Sequence, residues 1–376
     1  MKILIDARLY GLENAGLGRY LVNLIDELAN IDKKNRYVLL LRKKYFKELS
    51  VPENWEKVLV DFRHYSFIEQ IRLPRIISKH KPSITHFPHF NVPVFFKGKY
   101  IVTIHDILMH KQKGRNTTTL SAPLYYLKKI GYHRVFRKAV CGSEKIIVPS
   151  NFVKKELIDY YGLEKSKITV TYEGVDTNIV SKGKKENIFK KYNISSPYFI
   201  YAGNAYPHKN LKRVVEAMVL LNEEVDKKVL FVMTSARNVF TKKLRETIKK
   251  AKADKYIKLL GFVPDHDLGV LFKHSTAFIF PSLSEGFGLP GMEAIRAGTL
   301  VLASDIPVFK EVYKDSVSYF NPFDFSSMTK AMKNTMAMSI KEREKRIAIN
   351  QNYIKRYSWA TMAKQTLKVY ENSVSV

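Results

Sequence analysis

Glu285 and Glu293 bracket the stretch EGFGLPGME, with seven residues between them. The run Ser275 to Pro281 (STAFIFP) predicts a strand leading in. Pro290 to Ala297 predicts a helix leading out, with Pro suited to its first turn and Gly298 to its stop. Free amides and the dipole at such a helix N-terminus attract anions. Gly286 and Gly288 let the backbone come close to a ligand. The carboxylates would repel a phosphate, but they accept hydrogen bonds from sugar and ribose hydroxyls. An anion and hydroxyl-rich groups at one loop imply a nucleotide-sugar. Taken alone, the loop fits a capped surface helix with a Gly turn equally well.

Lys209 lies in GNAYPHKN, after a predicted strand, where an ammonium could neutralise a diphosphate. The spacing mimics a P-loop. However, His208 stands at the second Gly position and Asn210 at the magnesium-binding hydroxyl, which argues against an ATPase. A solvated surface lysine is the plain alternative. Gly16 and Gly18 form a glycine loop after the first strand, but Leu21 takes the third position of a dinucleotide fingerprint and the next strand ends in LLLRKK. That disfavours NAD and leaves a loop touching phosphate or acceptor, or a tight turn.

His105-Asp106 ends the strand YIVTI, where open α/β sheets place ligands. His105 there can bond a sugar hydroxyl or take a proton; Asp106 can orient it, bind acceptor or cap the next helix. His86 and His89 in THFPHF occupy a similar strand end, with acceptor-lining and packing roles both open. Asp265-His266-Asp267 resembles a metal-nucleotide signature, but it opens a helix and reads as charge at a first turn. No Cys/His cluster for zinc is present in the sequence, and no metal is expected.

The elements that must position these residues come in two sets. MKILIDARLYG and PYFIYAGNAYPHKN each open a half with a buried strand, a Gly-bearing loop and a helical run. Short apolar strands then alternate with amphipathic stretches: 37–41, 85–87, 100–104 and 145–148, then 229–234, 257–260, 276–280 and 300–303. Alternating βα units imply parallel sheets with helices on both faces. The 376 residues exceed one ordinary core. The expectation is therefore an α/β protein of two domains facing across a cleft, residues 1–180 completed by 358–376, and residues 190–357. The linker is expected within Asp176 to Ser196. Trp359, Met362, Ala363, Thr366, Leu367 and Tyr370 follow helical spacing, with Ser358 as N-cap.

Composition narrows the class. The net charge of +29 argues for anionic partners, and the halves divided after residue 183 carry +15 and +14, so no basic tail exists. Dispersed charge and the lack of any nucleic-acid motif leave polyanion binding as an alternative and nucleic acid as unexpected. From Ile107 to Ser143 there are eight Lys/Arg and no acid. Within it, Tyr132, Val135, Phe136, Ala139 and Val140 share a core-like face, while Arg134, Arg137 and Lys138 mix with Leu127 and Ile130 on the other. That outward face, residues 124–138, suits an anionic membrane surface or simply water. No apolar run reaches membrane-helix length. The single cysteine, Cys141, reads as a small core residue and fits a reducing cytoplasm. The localisation expected is cytoplasmic, with a peripheral site on the inner face of the membrane.

AGLGRY, TIHD, VPSNFVKKEL, YEGVD, AGNAYPHKN, GFVPDHDL, PSLSEGFGLPGMEA and YSWATMAKQTLKVYE, in that order, resemble the retaining glycosyltransferases of the GT-B fold, glycosyltransferase family 4. The similarity spans nearly the whole chain. It implies two Rossmann-like domains, with the last helix crossing back to the first. It implies that Glu285 holds donor-sugar hydroxyls, Glu293 the ribose, and amides around Gly286, Phe287, Gly288 and Leu289 the sugar and diphosphate. Lys209, with Gly203 and Asn204 in its loop, would meet the diphosphate. Gly16 would line the cleft, and His105 would sit near the transferred sugar. The implied reaction is metal-independent, cofactor-free, front-face transfer of a hexose from a GDP- or UDP-sugar to a glycan or lipid-linked acceptor. PHKN points to mannose-type donors. Asn204 departs from the Arg of many relatives and leaves Lys209 more alone. Glu173 replaces the usual Asn before Gly174-Val175-Asp176, and no function attaches to it. A relative with different chemistry, such as a sugar-nucleotide epimerase, is the alternative.

Overall fold

The structure is a computed structural model that describes residues 1–111, 121–175, 185–194, 197–234 and 239–374. It divides into two compact units: Met1–Gly174 with Ser358–Val376, and Val175–Tyr357. Part of the expected linker, 176–184 with 195 and 196, lies outside the described residues; the rest includes a helix, Lys185–Tyr192.

The first unit holds a seven-stranded sheet among its described residues. Its strands are β1 Lys2–Asp6, β2 Arg36–Leu41, β3 Trp55–Leu59, β4 Ile84–Phe87, β5 Tyr100–Thr103, β6 Lys145–Val148 and β7 Ile168–Val170. Their order is β3-β2-β1-β4-β5-β6-β7, and every pairing is parallel, as with Ile3 opposite Tyr37 and Ile84. The second unit holds six: β8 Tyr198–Ala202, β9 Leu230–Thr234, β10 Ile257–Gly261, β11 Ala277–Phe280, β12 Val301–Ser304 and β13 Ser318–Phe320. Their order is β10-β9-β8-β11-β12-β13, again all parallel.

Continuous apolar runs form the central strands because both of their faces lie under helices. Ile3, Leu4, Ile5, Ile101, Val102, Phe199, Ile200, Phe278 and Ile279 are all fully buried. The strands the sequence reading omitted, β3, β7 and β13, all lie toward sheet edges. WEKVL is half polar and half exposed, and the other two are three residues long. Neither carries a buried-strand pattern.

Contrary to the expectation of a glycine loop before a helix, Gly16 and Gly18 do not form a loop. They lie inside the first turn of the helix Ala15–Ile31, and the loop is the preceding segment with its 3-10 turn at Leu12–Asn14. Gly18 is needed because a Cβ there would collide with the Gly11 carbonyl; Gly16 has open space around it.

The terminal helix Trp359–Val374 packs on the first unit, with Ser358 as its cap. It buries Trp359, Met362, Ala363, Thr366, Val369 and Tyr370. Tyr370 reaches the sheet, its hydroxyl 2.7 Å from His86 Nδ1. Cys141 is exposed and not a core residue, since it ends the helix Ala122–Cys141 whose packed face is Phe136, Ala139 and Val140. Among the described residues, no helix is long and apolar enough to cross a membrane.

Candidate active site

In the second unit the chain winds out from β8 through β9 to β10, then returns to place β11 on the other side of β8. Open parallel sheets form ligand crevices at the carboxyl ends of such a strand pair. Here the two loops that emerge are the ones the sequence singles out. After β8, Gly203 and Asn204 turn the chain, and the Tyr201 hydroxyl donates to Asn204 O at 2.9 Å. A 3-10 turn at Pro207–Lys209 then presents Lys209. After β11, Ser282 to Gly288 lead into the helix Leu289–Arg296. The loops are tied together by Leu283 N donating to His208 O at 2.8 Å. Lys209 Nζ donates to Glu285 Oε1 at 2.5 Å. These side chains are only 19% and 15% exposed, so their attraction is weakly screened by water.

Gly288 caps the helix at φ +114°, a conformation that favours glycine. A Cβ there would lie 2.7 Å from the Tyr313 hydroxyl. That hydroxyl, fully buried, donates to Gly288 O and holds the turn from beneath. Phe287 is buried edge-on against Tyr357, ring centroids 5.4 Å apart. Pro290 sits in the first helical turn, and Glu293 is a buried residue of the next. Two buried polar atoms beside the pair, His208 Nδ1 and Ser282 Oγ, have no hydrogen-bond partner among the described residues. Burial pushes His208 down to about 4, so its ring is neutral near pH 7. Sequence reasoning missed Ser282 and Tyr313. The first had a legible signal, a hydroxyl one residue past a strand-end proline; the second had none.

In the first unit, His105 follows β5 with 15% of its side chain exposed. Its Nε2 lies 3.0 Å from Pro88 O and its Nδ1 3.2 Å from Glu173 Oε1. Tyr20 packs edge-on at 4.8 Å. His86 is corrected: it is fully buried in β4, with Nε2 2.8 Å from Thr103 Oγ1 and Nδ1 on Tyr370, so it is a packing residue and lines no open face. Burial pushes it down to about 3. His89 lies beyond the end of β4, with its Nδ1 3.3 Å from the Tyr65 hydroxyl. Asp106 is exposed and accepts from Leu108 N at 2.8 Å, the local turn its helix-opening reading anticipated. Asp265 and Asp267 do open the helix Asp265–Lys273. Asp267 is buried and takes Lys191 Nζ and the Tyr192 hydroxyl, each at 2.6 Å, which makes it an anchor for the helix Lys185–Tyr192.

Two Rossmann-like units, one with a lysine and a glutamate joined at its switch point, define a glycosyltransferase of the GT-B class. Residues 15–179 match the family described as Glycosyltransferase Family 4, and residues 184–356 the one described as Glycosyl transferases group 1. The chain belongs to this family and is a hexosyltransferase. It is 26% identical to O-antigen chain mannosyltransferase RfbU of Salmonella typhimurium, over 73% of this chain and 69% of that one. It is 24% identical to O-antigen chain mannosyltransferase B of Escherichia coli, over 99% of this chain and 100% of the other. Among solved structures it resembles Anabaena HepE in complex with UDP and glucose, at TM-score 0.73 and 15% identity, covering 99% and 100%.

Proposed function

We propose that the protein transfers a mannose-type hexose from a nucleotide-sugar to a growing O-antigen-like glycan, retaining anomeric configuration and needing no metal. The observation that carries this reading is the Lys209–Glu285 pair at the β8/β11 switch point. Without ligand, the two charges satisfy each other. A sugar diphosphate separates their tasks: its phosphate oxygens take the ammonium, and its sugar hydroxyls donate to the freed carboxylate. The amides at the start of the helix Leu289–Arg296 add donors for the phosphates, and buried Glu293 is the acceptor for ribose. His208 Nδ1 and Ser282 Oγ are the further polar atoms this site offers.

The bond from the anomeric carbon to the diphosphate oxygen breaks, and its electron pair stays on that oxygen. Lys209 stabilises the charge as it develops. The acceptor hydroxyl bonds to the anomeric carbon from the same face, and its proton passes to the departing diphosphate oxygen. Mannosyl transfer is favoured by the similarity to the two O-antigen mannosyltransferases. Attachment to an anionic membrane fits the helix Ala122–Cys141, where Leu124, Tyr126, Leu127 and Ile130 are exposed beside Lys128 and Arg134.

The test is a thermal-shift screen of GDP-mannose, UDP-glucose and other nucleotide-sugars on the wild type and Lys209→Ala. GDP-mannose is expected to raise the melting point of the wild type and not of the variant. Turnover in excess EDTA should match turnover without it. A wild type indifferent to every nucleotide-sugar would sink the reading.

A further inference from the structure

The second unit carries a groove of about 250 Å³ along β10, an edge strand of its sheet. Ile257 and Leu259 of β10 and Ile248 of the helix Val239–Lys250 line it with apolar atoms; Arg245, Lys249, Glu246 and Asp254 line it with charge. The helix forms this wall by its spacing: Thr241, Leu244 and Ile248 are buried one turn apart, and the charged residues between them are exposed. Asp254 precedes β10, so the groove starts at the amino end of the strand. The loops that bear Lys209 and Glu285 leave the opposite, carboxyl ends of this parallel sheet.

β10 has main-chain groups that no strand meets. Among the described strands it pairs with β9 alone, Ile257 opposite Phe231 and Leu259 opposite Met233. Phe231 N donates to Tyr256 O at 2.8 Å. Successive residues of a parallel strand turn their N–H and C=O to alternate sides, so Ile257 and Leu259 direct theirs away from β9. Lysines and bulges usually guard such an edge. Here Lys258 is drawn aside, its Nζ donating to Asn193 O. The register shift falls between Leu259 and Gly261, after the last residue that lines the groove, and leaves residues 257–259 regular.

Charge selects what can add to this edge. From Lys242 to Lys258 there are eight Lys/Arg and two acids. Glu246 and Asp254 offset Arg245 and Lys249 at the wall itself, and the six remaining lysines set the sign of the field around it. None of the eight is ion-paired among the described residues. An extended segment that alternates apolar and acidic residues fits both features. Its main chain continues the ladder on Ile257 and Leu259. Its apolar side chains enter the groove against Ile248, and its carboxylates lie in the field of the lysines.

We propose that the free edge of β10 docks an extended acidic segment of a partner protein, which adds to the sheet as a further strand. This surface is independent of the transferase reading, because no residue of the groove belongs to the Lys209–Glu285 site. Arg245 and Lys249 are exposed, so they can be changed without disturbing the core.

The probe is a fluorescein-labelled peptide of four Glu-Val repeats, followed by anisotropy at low salt, with four Glu-Pro repeats as control. The control carries the same charge but lacks half the N–H groups a ladder needs. The wild type is expected to bind the Glu-Val peptide, and the control about tenfold more weakly or worse. Arg245→Glu combined with Lys249→Glu should weaken the Glu-Val complex by about tenfold or more, with a melting point close to that of the wild type. Hydrogen exchange at residue resolution should show the amides of Ile257 and Leu259 protected only when the Glu-Val peptide is bound. No binding of that peptide overturns the inference, as does equal binding of the control or of the peptide by the double variant. Binding that leaves those two amides unprotected is charge attraction to the helix alone and also overturns it. Amides protected in concentrated protein without peptide would mean that a second copy of this chain covers the edge, which overturns it too.

Discussion

Glu173 and His105 are joined across 68 residues, Oε1 to Nδ1 at 3.2 Å, while the opposite ring nitrogen faces the Pro88 carbonyl. Both partners are acceptors. A neutral ring has one N–H and donates to one of them; an imidazolium donates to both. The two acceptors therefore hold the ring in one orientation. Glu173→Gln keeps the size and removes the charge. It is expected to lower kcat by about tenfold, since the ring loses its charged acceptor. The melting point should move little. A normal kcat would show that the pair only packs.

Tyr313 supports the turn before the helix Leu289–Arg296 from beneath. Its hydroxyl donates to Gly288 O, the residue that starts the helix Leu289–Arg296. Tyr313→Phe removes one of two hydrogen bonds to the Gly288 carbonyl, which keeps Gly291 N at 3.2 Å, and should cost about 0.5–1.5 kcal/mol in chemical denaturation. The melting shift given by the donor should shrink with it, because the turn at φ +114° is no longer held. A variant as stable as the wild type, with a full donor shift, would show that the turn holds itself.

His86 makes stability depend on pH. Its ordinary value is 6.5, and burial in the folded protein lowers it to about 3. Between these values the unfolded chain binds a proton that the folded one refuses. Stability from this residue is therefore complete above pH 6.5 and is lost as pH falls toward 3, at up to about 1.4 kcal/mol per pH unit. Denaturant titrations at several pH values should show this slope, and His86→Gln should flatten it by about one proton's share.

The helix Ala122–Cys141 exposes Leu127 to 66% and Ile130 to 53% among basic residues. Sedimentation with phosphatidylglycerol vesicles at low salt should recover the protein in the pellet. Leu127→Ser combined with Ile130→Ser should leave it in the supernatant. Wild-type protein that stays in solution with vesicles would show that this face meets only water.

Much of this molecule follows from local patterns. Apolar runs such as KILID, YIVT and AFIF specify buried parallel strands, since a strand covered on both faces needs no alternation. The loop from Glu285 to Glu293 and the turn carrying Lys209 each declare a glycine-bearing strand-to-helix junction within about ten residues of chain. The register of β3, β7 and β13 was not legible, because short or half-exposed edge strands need little hydrophobic pattern to pair. What tertiary structure alone decided is which distant groups meet. Lys209 and Glu285 are 76 residues apart, His86 and Tyr370 are 284 apart, and Tyr313 reaches back 25 residues to a carbonyl. Periodicity sets which face of an element is buried. The order in which strands cross over sets which loop ends become neighbours, and that order is a property of the whole sheet.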